Sequence, residues 1–359
     1  MNKKNNKSSL ACPLCTSHSI RKFGLRKNRF HSIQRYLCNS CKHAFTINSA
    51  KNKSYPINII LDAISKYNSG LSQSEVSAFM QKKCALIIPQ KTISNWITDN
   101  KSVCTFAKIR TACMKLSNNQ SMIESHSFLH NNLPYKFMFH IQKLSLLTHS
   151  SDYNNKFSNH LKFYNPLQEY LTQVSSKNFP HHIFGVHQKI IQNTKERASE
   201  IKFQIPNFVK ISKNNLANKL ATLALNLAKD HKSRHQIIQD FMLTNDSSTI
   251  ATEVPVYLTH DDINYFRSKN FTIPLNQEQK TPITGHIDFI QIRNNSIHIL
   301  DYKPDAHKVN PITQLTIYAL ALASRTKLAV RDFTCAWFDE NNYYEFYPLH
   351  IVYPRRNKK

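Results

Sequence analysis

No aspartate or glutamate occurs in this chain before Asp62, although twelve lysines and arginines do. A segment with charge of one sign and nothing to balance it suits a polyanionic partner better than it suits an ordinary solvated surface. Long apolar runs are missing as well. No stretch approaches the roughly 18 residues that a membrane-spanning helix needs, and the start, MNKKNNKSSLACPLC, has no signal-peptide core. These absences lead to the expectation of a soluble intracellular chain, cytoplasmic or associated with DNA, with no membrane partner. Glycine is also scarce, with 4 in 359 residues, so a glycine beside a candidate site carries information.

What is present agrees with this. A hydrophobic content of 41%, including 21 Phe and 15 Tyr, can fill the cores of two or three domains. Lysine and arginine number 48 against 22 acidic residues, a formal charge of +26. Genome base composition accounts for part of the Lys and Asn excess, but not for its concentration ahead of Asp62. Nucleic acid therefore leads a membrane surface as the partner. Of the 8 cysteines, four form two tight pairs, which fits metal binding in a reducing compartment better than a disulfide framework. Cys84, Cys104, Cys113 and Cys335 are scattered and read as small buried hydrophobes.

Cys12-Pro-Leu-Cys15 and Cys38-Asn-Ser-Cys41 have the form of two knuckles closing a four-thiolate Zn²⁺ site. A module of residues 1–55 has no other obvious source of stability, so zinc should carry much of its folding free energy. With four cysteines available, His18, His31 and His43 read as solvent-facing or phosphate-contacting. The residues Ile20 to Gly24 and Gln34 to Phe45 resemble the zinc ribbon at the front of transposases. That resemblance implies DNA contact by the basic hairpin, through Arg21, Lys22, Arg26, Lys27, Arg29 and Arg35.

Residues 56–100 read as three short helices. Pro56 to Tyr67 has helical apolar spacing and is followed by Gly70; Ser72-Gln-Ser-Glu75 is a capping box; a third helix opens at Pro89 or Gln90 with Ile93, Trp96 and Ile97 inward. The trio resembles the helix-turn-helix of transposases and site-specific recombinases, although a plain helical linker has the same pattern. If the third helix enters a major groove, Gln90, Lys91, Ser94 and Asn95 face the bases. Residues 101–210 read as a linker and a region of unknown role. Its aromatic stretch Pro134 to Phe139 has no clear period, and His181, His182 and His187 lack the carboxylate partners of a metal site. Asn215 to Gln239 reads as one long helix.

The chemistry centres on Thr284 to Tyr318. Ile287 to Ile292 and Ile297 to Tyr302 are alternating runs joined through Asn294-Asn295, a pair that tolerates positive φ and suits a two-residue hairpin turn. In that register Ile290 faces Ile299 and Asp288 faces Asp301. Two facing carboxylates repel, so the pair calls for a cation, and oxygen ligands point to Mg²⁺ or Mn²⁺. Lys303 projects to the same side as Asp301. Gly285 marks a point where another backbone, DNA included, comes close. Asn310-Pro311 opens a helix to about Ala323 on which Gln314 and Tyr318 share a face. Glu253, in the preceding strand Glu253 to Tyr257, offers a third carboxylate, and His235 lies on the helix before it.

Glu253, Gly285-x-x-Asp288, Asp301-Tyr-Lys303 and Gln314-x-x-x-Tyr318 together resemble the PD-(D/E)XK nuclease superfamily, most closely its RecB-like branch. The resemblance implies a nuclease domain over residues 211–350, with a restriction-endonuclease-like α/β core: a mixed central sheet flanked by helices. It implies Asp288, Asp301 and His235 as Mg²⁺ or Mn²⁺ ligands, with His231 nearly as well placed as His235. It further implies Lys303 as the catalytic lysine, and Glu253, Gln314 and Tyr318 as accessory catalytic residues. The cysteines that hold an iron-sulfur cluster in many of these relatives are missing, and nothing indicates a helicase. The expected activity is metal-dependent hydrolysis of DNA leaving a 5′-phosphate and a 3′-hydroxyl. A non-catalytic DNA-binding regulator and a mobile-element end-processing enzyme are the alternatives, and a homodimer is left open.

Overall fold

The structure is a computed structural model. It describes residues 10–27, 32–46, 55–116, 121–130, 133–148, 161–185, 197–202, 210–228, 230, 233–273, 275 and 281–353. The chain divides into two compact units, Met1–Ile64 and Ser65–Lys359. Arg29, His31, His187 and His231 lie outside the described residues.

The first unit holds a three-stranded antiparallel sheet, β1 (Ile20–Lys27), β2 (Ser32–Cys38) and β3 (Ala44–Thr46), in that order. Helix α1 (Ile57–Asn68) leads out of this unit. Helix α2 (Gln73–Cys84) opens on the expected capping box: Glu75 N–H donates to Ser72 Oγ at 3.2 Å and Ser72 N–H donates to Glu75 Oε2 at 2.7 Å. It ends at Ala85 in the left-handed region, and α3 (Gln90–Asn100) follows with Ile93 and Trp96 buried. Ile97, read as inward, is only half-buried. Helix α4 (Arg110–Lys115) completes this helical stretch.

The rest of the second unit is built on one sheet. Its strands are β4 (Ile123–His130), β5 (Leu133–His140), β6 (Ile211–Ser212), β7 (Thr249–Leu258), β8 (Ile283–Arg293), β9 (Ser296–Tyr302), β10 (Phe333–Phe338) and β11 (Tyr343–Phe346). Their order across the sheet is β4-β5-β7-β8-β9-β10-β11-β6. The sheet is mixed, because β9 and β10 run parallel while the other pairs are antiparallel. A parallel pair needs a long crossover, which is supplied by α10 (Ile312–Thr326), a helix buried along nearly its whole length. Around the sheet lie α5 (Ile141–Thr148), α6 (Leu161–Val174), α7 (Leu216–Ala224), α8 (Arg234–Asn245), α9 (His260–Ser268) and α11 (Pro348–Val352). Ile287, Ile290, Ile297 and Ile299 join Leu315, Ala319, Leu322, Leu167 and Leu171 in one continuous core. No helix among the described residues is long and apolar enough to cross a membrane.

Two expectations need correction. The helix read from Asn215 to Gln239 is broken: α7 ends at Ala224, a 3-10 turn covers Leu225–Leu227, and α8 restarts at Arg234. Polar side chains compete for the backbone there, with Asn226 Nδ2 donating to the Thr222 carbonyl and Asp230 Oδ1 accepting from Ser233 N–H. The aromatic stretch without a period, Pro134 to Phe139, lies in strand β5, and β4 and β5 belong to the same sheet as the β8–β9 hairpin rather than to a linker.

Candidate metal and catalytic centre

The β8–β9 hairpin turns at Asn294 (φ 50°) and Asn295 (φ 56°), both left-handed, as a two-residue primed turn requires. The register runs from Arg293↔Ser296 through Ile290↔Ile299 to Phe289↔Leu300, so Asp288 and Asp301 come one step beyond the last pair. At that step Tyr302 N–H donates to Asp288 Oδ2 at 3.0 Å. On the other side of β8, the pairs Thr252↔Phe289 and Val254↔Ile287 bracket Glu253 and Asp288. Three carboxylates therefore stand at one level across β7, β8 and β9.

His235, in the first turn of α8, completes the group. Its Nε2 lies 3.2 Å from Asp288 Oδ2 and 3.6 Å from Glu253 Oε1. Ligand atoms of His235, Glu253 and Asp288 all lie within 4.8 Å of one another, close enough to share one ion. Asp301 is not in that trio. It is 1% exposed, and Lys303 Nζ stands 3.0 Å from its Oδ2. Buried, unsatisfied carboxylate oxygens are costly unless something cationic fills them. The donor set, two carboxylates and an imidazole with a third carboxylate beside them, fits a divalent cation with oxygen preference.

The electrostatics follow from this crowding. Burial opposes a charged imidazole at His235, but the Asp288 carboxylate outweighs it and raises the ring to about 9. Burial and then the charge of Asp288 push Glu253 up to about 7. Burial would raise Asp288 too, yet the charged His235 beside it holds it below the usual carboxylate range. Asp301 is pushed well above that range by burial and by Asp288, and Lys303 stays charged because Asp301 outweighs its burial. His235, Glu253 and Asp288 are the residues that would hold a cation there, with the imidazole as ligand in its neutral form.

Two further placements were not read from the sequence as the structure has them. Gln239, one turn after His235 on α8, donates from Nε2 to Glu253 Oε1 at 2.7 Å and fixes that carboxylate; the i, i+4 spacing from His235 was the available signal. Gly285 was expected to admit a foreign backbone. Instead the Tyr318 ring fills its place, and a Cβ there would sit 2.3 Å from Tyr318 Cε1. Tyr318 is buried, and Gln314 Nε2 donates to its hydroxyl at 2.9 Å.

In the first unit the four cysteine sulfurs also fall within 4.8 Å of one another. Cys12 Sγ and Cys41 Sγ are 3.6 Å apart, as are those of Cys15 and Cys38. A tetrahedron of Zn–S bonds about 2.3 Å long has edges of about 3.8 Å, so the cluster has the size of a zinc site and is far too open for disulfides. Backbone N–H groups of the knuckle at Cys41 lower the Cys38 thiol to about 6. Arg21, Lys22, Arg26 and Lys27 on β1 are exposed, and the half-buried Arg35 lies over the Phe23 ring at 5.1 Å. On α3, Gln90, Lys91 and Asn95 are exposed and Ser94 is half-buried. His181 and His182 are exposed on a 3-10 turn, and neither belongs to a metal-sized cluster among the described residues.

Residues 208–343 match the family model of the PD-(D/E)XK nuclease superfamily. The span takes in α7, α8, β7–β10 and α10, and so every residue of the acidic centre. Comparison with curated proteins gave no match, and neither did comparison with solved structures.

Proposed function

We propose that this protein is a Mg²⁺- or Mn²⁺-dependent DNA nuclease of the RecB-like kind, held on its substrate by a transposase-type zinc ribbon and by α2 and α3 acting as a helix-turn-helix. The observation that carries the reading is the convergence of His235, Glu253 and Asp288 on one ion-sized space next to Asp301 and Lys303, within the segment that matches the nuclease model. His235, Glu253, Asp288 and Asp301 are the residues that would hold the cation, which supplies Lewis acidity toward a phosphoryl group. The Lys303 ammonium neutralises charge that builds on the phosphate during attack. Asp301, paired with Lys303 Nζ through Oδ2 at 3.0 Å, has Oδ1 left to orient the attacking water. Tyr318, seated on Gly285 and held by Gln314, keeps β8 and α10 in register behind the site.

The basic, exposed β1 supports DNA contact through Arg21, Lys22, Arg26 and Lys27, with Arg35 on β2 beside it and Arg29 proposed from the sequence alone. Gln90, Lys91, Ser94 and Asn95 supply the base-facing side of α3. Plasmid nicking with Mg²⁺ or Mn²⁺ tests the function. Wild type should nick, and Asp301→Ala and Lys303→Ala should each lose at least 100-fold. Equal cleavage by all three would sink the site assignment, and DNA binding without cleavage in any metal would favour a non-catalytic DNA-binding protein.

A further inference from the structure

Helix α8 carries the site at one end and is fastened at the other to the last turn of α1, which leads into the α2–α3 pair proposed to hold DNA. From His235 to Asn245 the helix spans about 15 Å, at 1.5 Å per residue. Asn245 is fully buried. Its Oδ1 accepts from Asn68 Nδ2 at 2.9 Å, and its Nδ2 donates to Ser65 Oγ at 2.9 Å and to the Phe241 carbonyl at 3.0 Å. The next residue, Asp246, accepts from Thr105 Oγ1 at 3.1 Å on one oxygen and from Gln291 Nε2 at 3.0 Å on the other. Lys143 of α5 is 2% exposed and donates to the carbonyls of Leu243, Asp246 and Thr249 at 2.6, 2.5 and 2.7 Å.

Apolar packing alone would hold α8 against the sheet but leave it free to slide or rotate slightly. Directional bonds to a buried amide fix both its axial position and its rotation, since each misalignment strands a buried polar group. The same fastening reaches α2 and α3. Lys66 lies over the Phe79 ring of α2 at 4.8 Å, Arg110 donates to the carbonyls of Tyr67, Gly70 and Leu71, and Ser77 Oγ of α2 donates to the Ile88 carbonyl just before α3.

We propose that α8 is a strut through which DNA seated on α2 and α3 sets the cation affinity of the His235–Glu253–Asp288 trio, with Asn245 as its positioning residue. The inference rests on the proposed DNA-binding and cation-binding roles. It goes beyond them in requiring that the linkage between the two ligands, each tightening the other by the same factor, run through α8 and Asn245. A shift at Asn245 would be passed along the hydrogen-bonded turns of α8 toward His235.

The test is Mn²⁺ titration of the full-length, zinc-loaded protein followed by electron paramagnetic resonance, with and without a mixed-sequence phosphorothioate DNA duplex. In wild type the duplex should tighten Mn²⁺ binding at least fivefold. Asn245→Ala and, as a milder lesion, Asn68→Ala should bring that factor below twofold, while Mn²⁺ affinity without DNA and duplex affinity without Mn²⁺ stay within twofold of wild type. Wild type that binds both ligands without linkage would overturn the strut alone. Linkage that persists in both variants, or a uniform loss of Mn²⁺ affinity with the factor intact, would reduce Asn245 to a structural residue and overturn it too. Wild type that binds no Mn²⁺ or no duplex would overturn the functional reading beneath it, and the strut with it.

Discussion

Glu253 has φ +51° in the middle of β7, a conformation that a non-glycine residue avoids and that costs about 1–3 kcal/mol. Its carboxylate is also buried and raised to about 7, first by burial and then by Asp288. Both features destabilise the metal-free chain, and both are what a carboxylate held for a cation would show. The unfolded carboxyl ionises near 4.5 and the folded one near 7, so the penalty grows as pH rises between them and is full above 7. Glu253→Gln keeps an oxygen for Gln239 and removes the charge. The metal-free variant should be more stable than wild type at pH 8, by on the order of 1–3 kcal/mol in urea unfolding, and should bind Mn²⁺ about 10–100-fold more weakly. Unchanged stability together with unchanged Mn²⁺ affinity would remove Glu253 from the site.

Among the elements, the hairpin was the most legible in advance. Asn294-Asn295 admits one turn geometry, the alternating isoleucines admit one face, and together they leave one register, so the pairing of Ile290 with Ile299 follows. Gln314 and Tyr318 were legible for the same reason, through helical spacing. The meaning of Gly285 was not, because its neighbour is a tyrosine 33 positions away, brought in by the β9–α10–β10 crossover. Gly285→Ala should therefore displace the Tyr318 ring and destabilise the protein by about 1–3 kcal/mol. In a double-mutant cycle Tyr318→Ala should cost less in the Gly285→Ala background than in wild type; additive effects would deny the contact. The break between α7 and α8 was hidden because an apolar stripe survives across it, whereas the polar bonds of Asn226 and Asp230 that end the helix leave no periodic trace.

At the scale of the whole molecule, what escaped the sequence is long-range. Strand β5 pairs with β7 through Met138↔Thr252 and Phe139↔Ala251, across more than a hundred residues, and no local pattern announces such a pairing. The fold also buries histidines where the sequence offers no hint of it. His298 is 4% exposed with neither ring nitrogen bonded among the described residues. Burial, then Arg293 and Lys213, lower it to about 3. His130 is lowered to about 4, first by burial. A base depressed in the folded state contributes stability above its unfolded value of 6.5 and loses it as pH falls toward the folded value. The protein should thus weaken between pH 6.5 and pH 4. His298→Leu should flatten that slope, sparing roughly 2–3 kcal/mol at pH 4 in urea unfolding. An identical pH slope in wild type and variant would show that His298 titrates normally in the fold.

The proposed nuclease chemistry requires that His235, Glu253 and Asp288 share a divalent cation beside Asp301 and Lys303. An anomalous difference map from a crystal grown with Mn²⁺ tests it most directly. One strong peak is expected about 2.0–2.4 Å from the carboxylate oxygens of Glu253 and Asp288 and from His235 Nε2. A map with no peak there, at a Mn²⁺ concentration that supports cleavage, would contradict it.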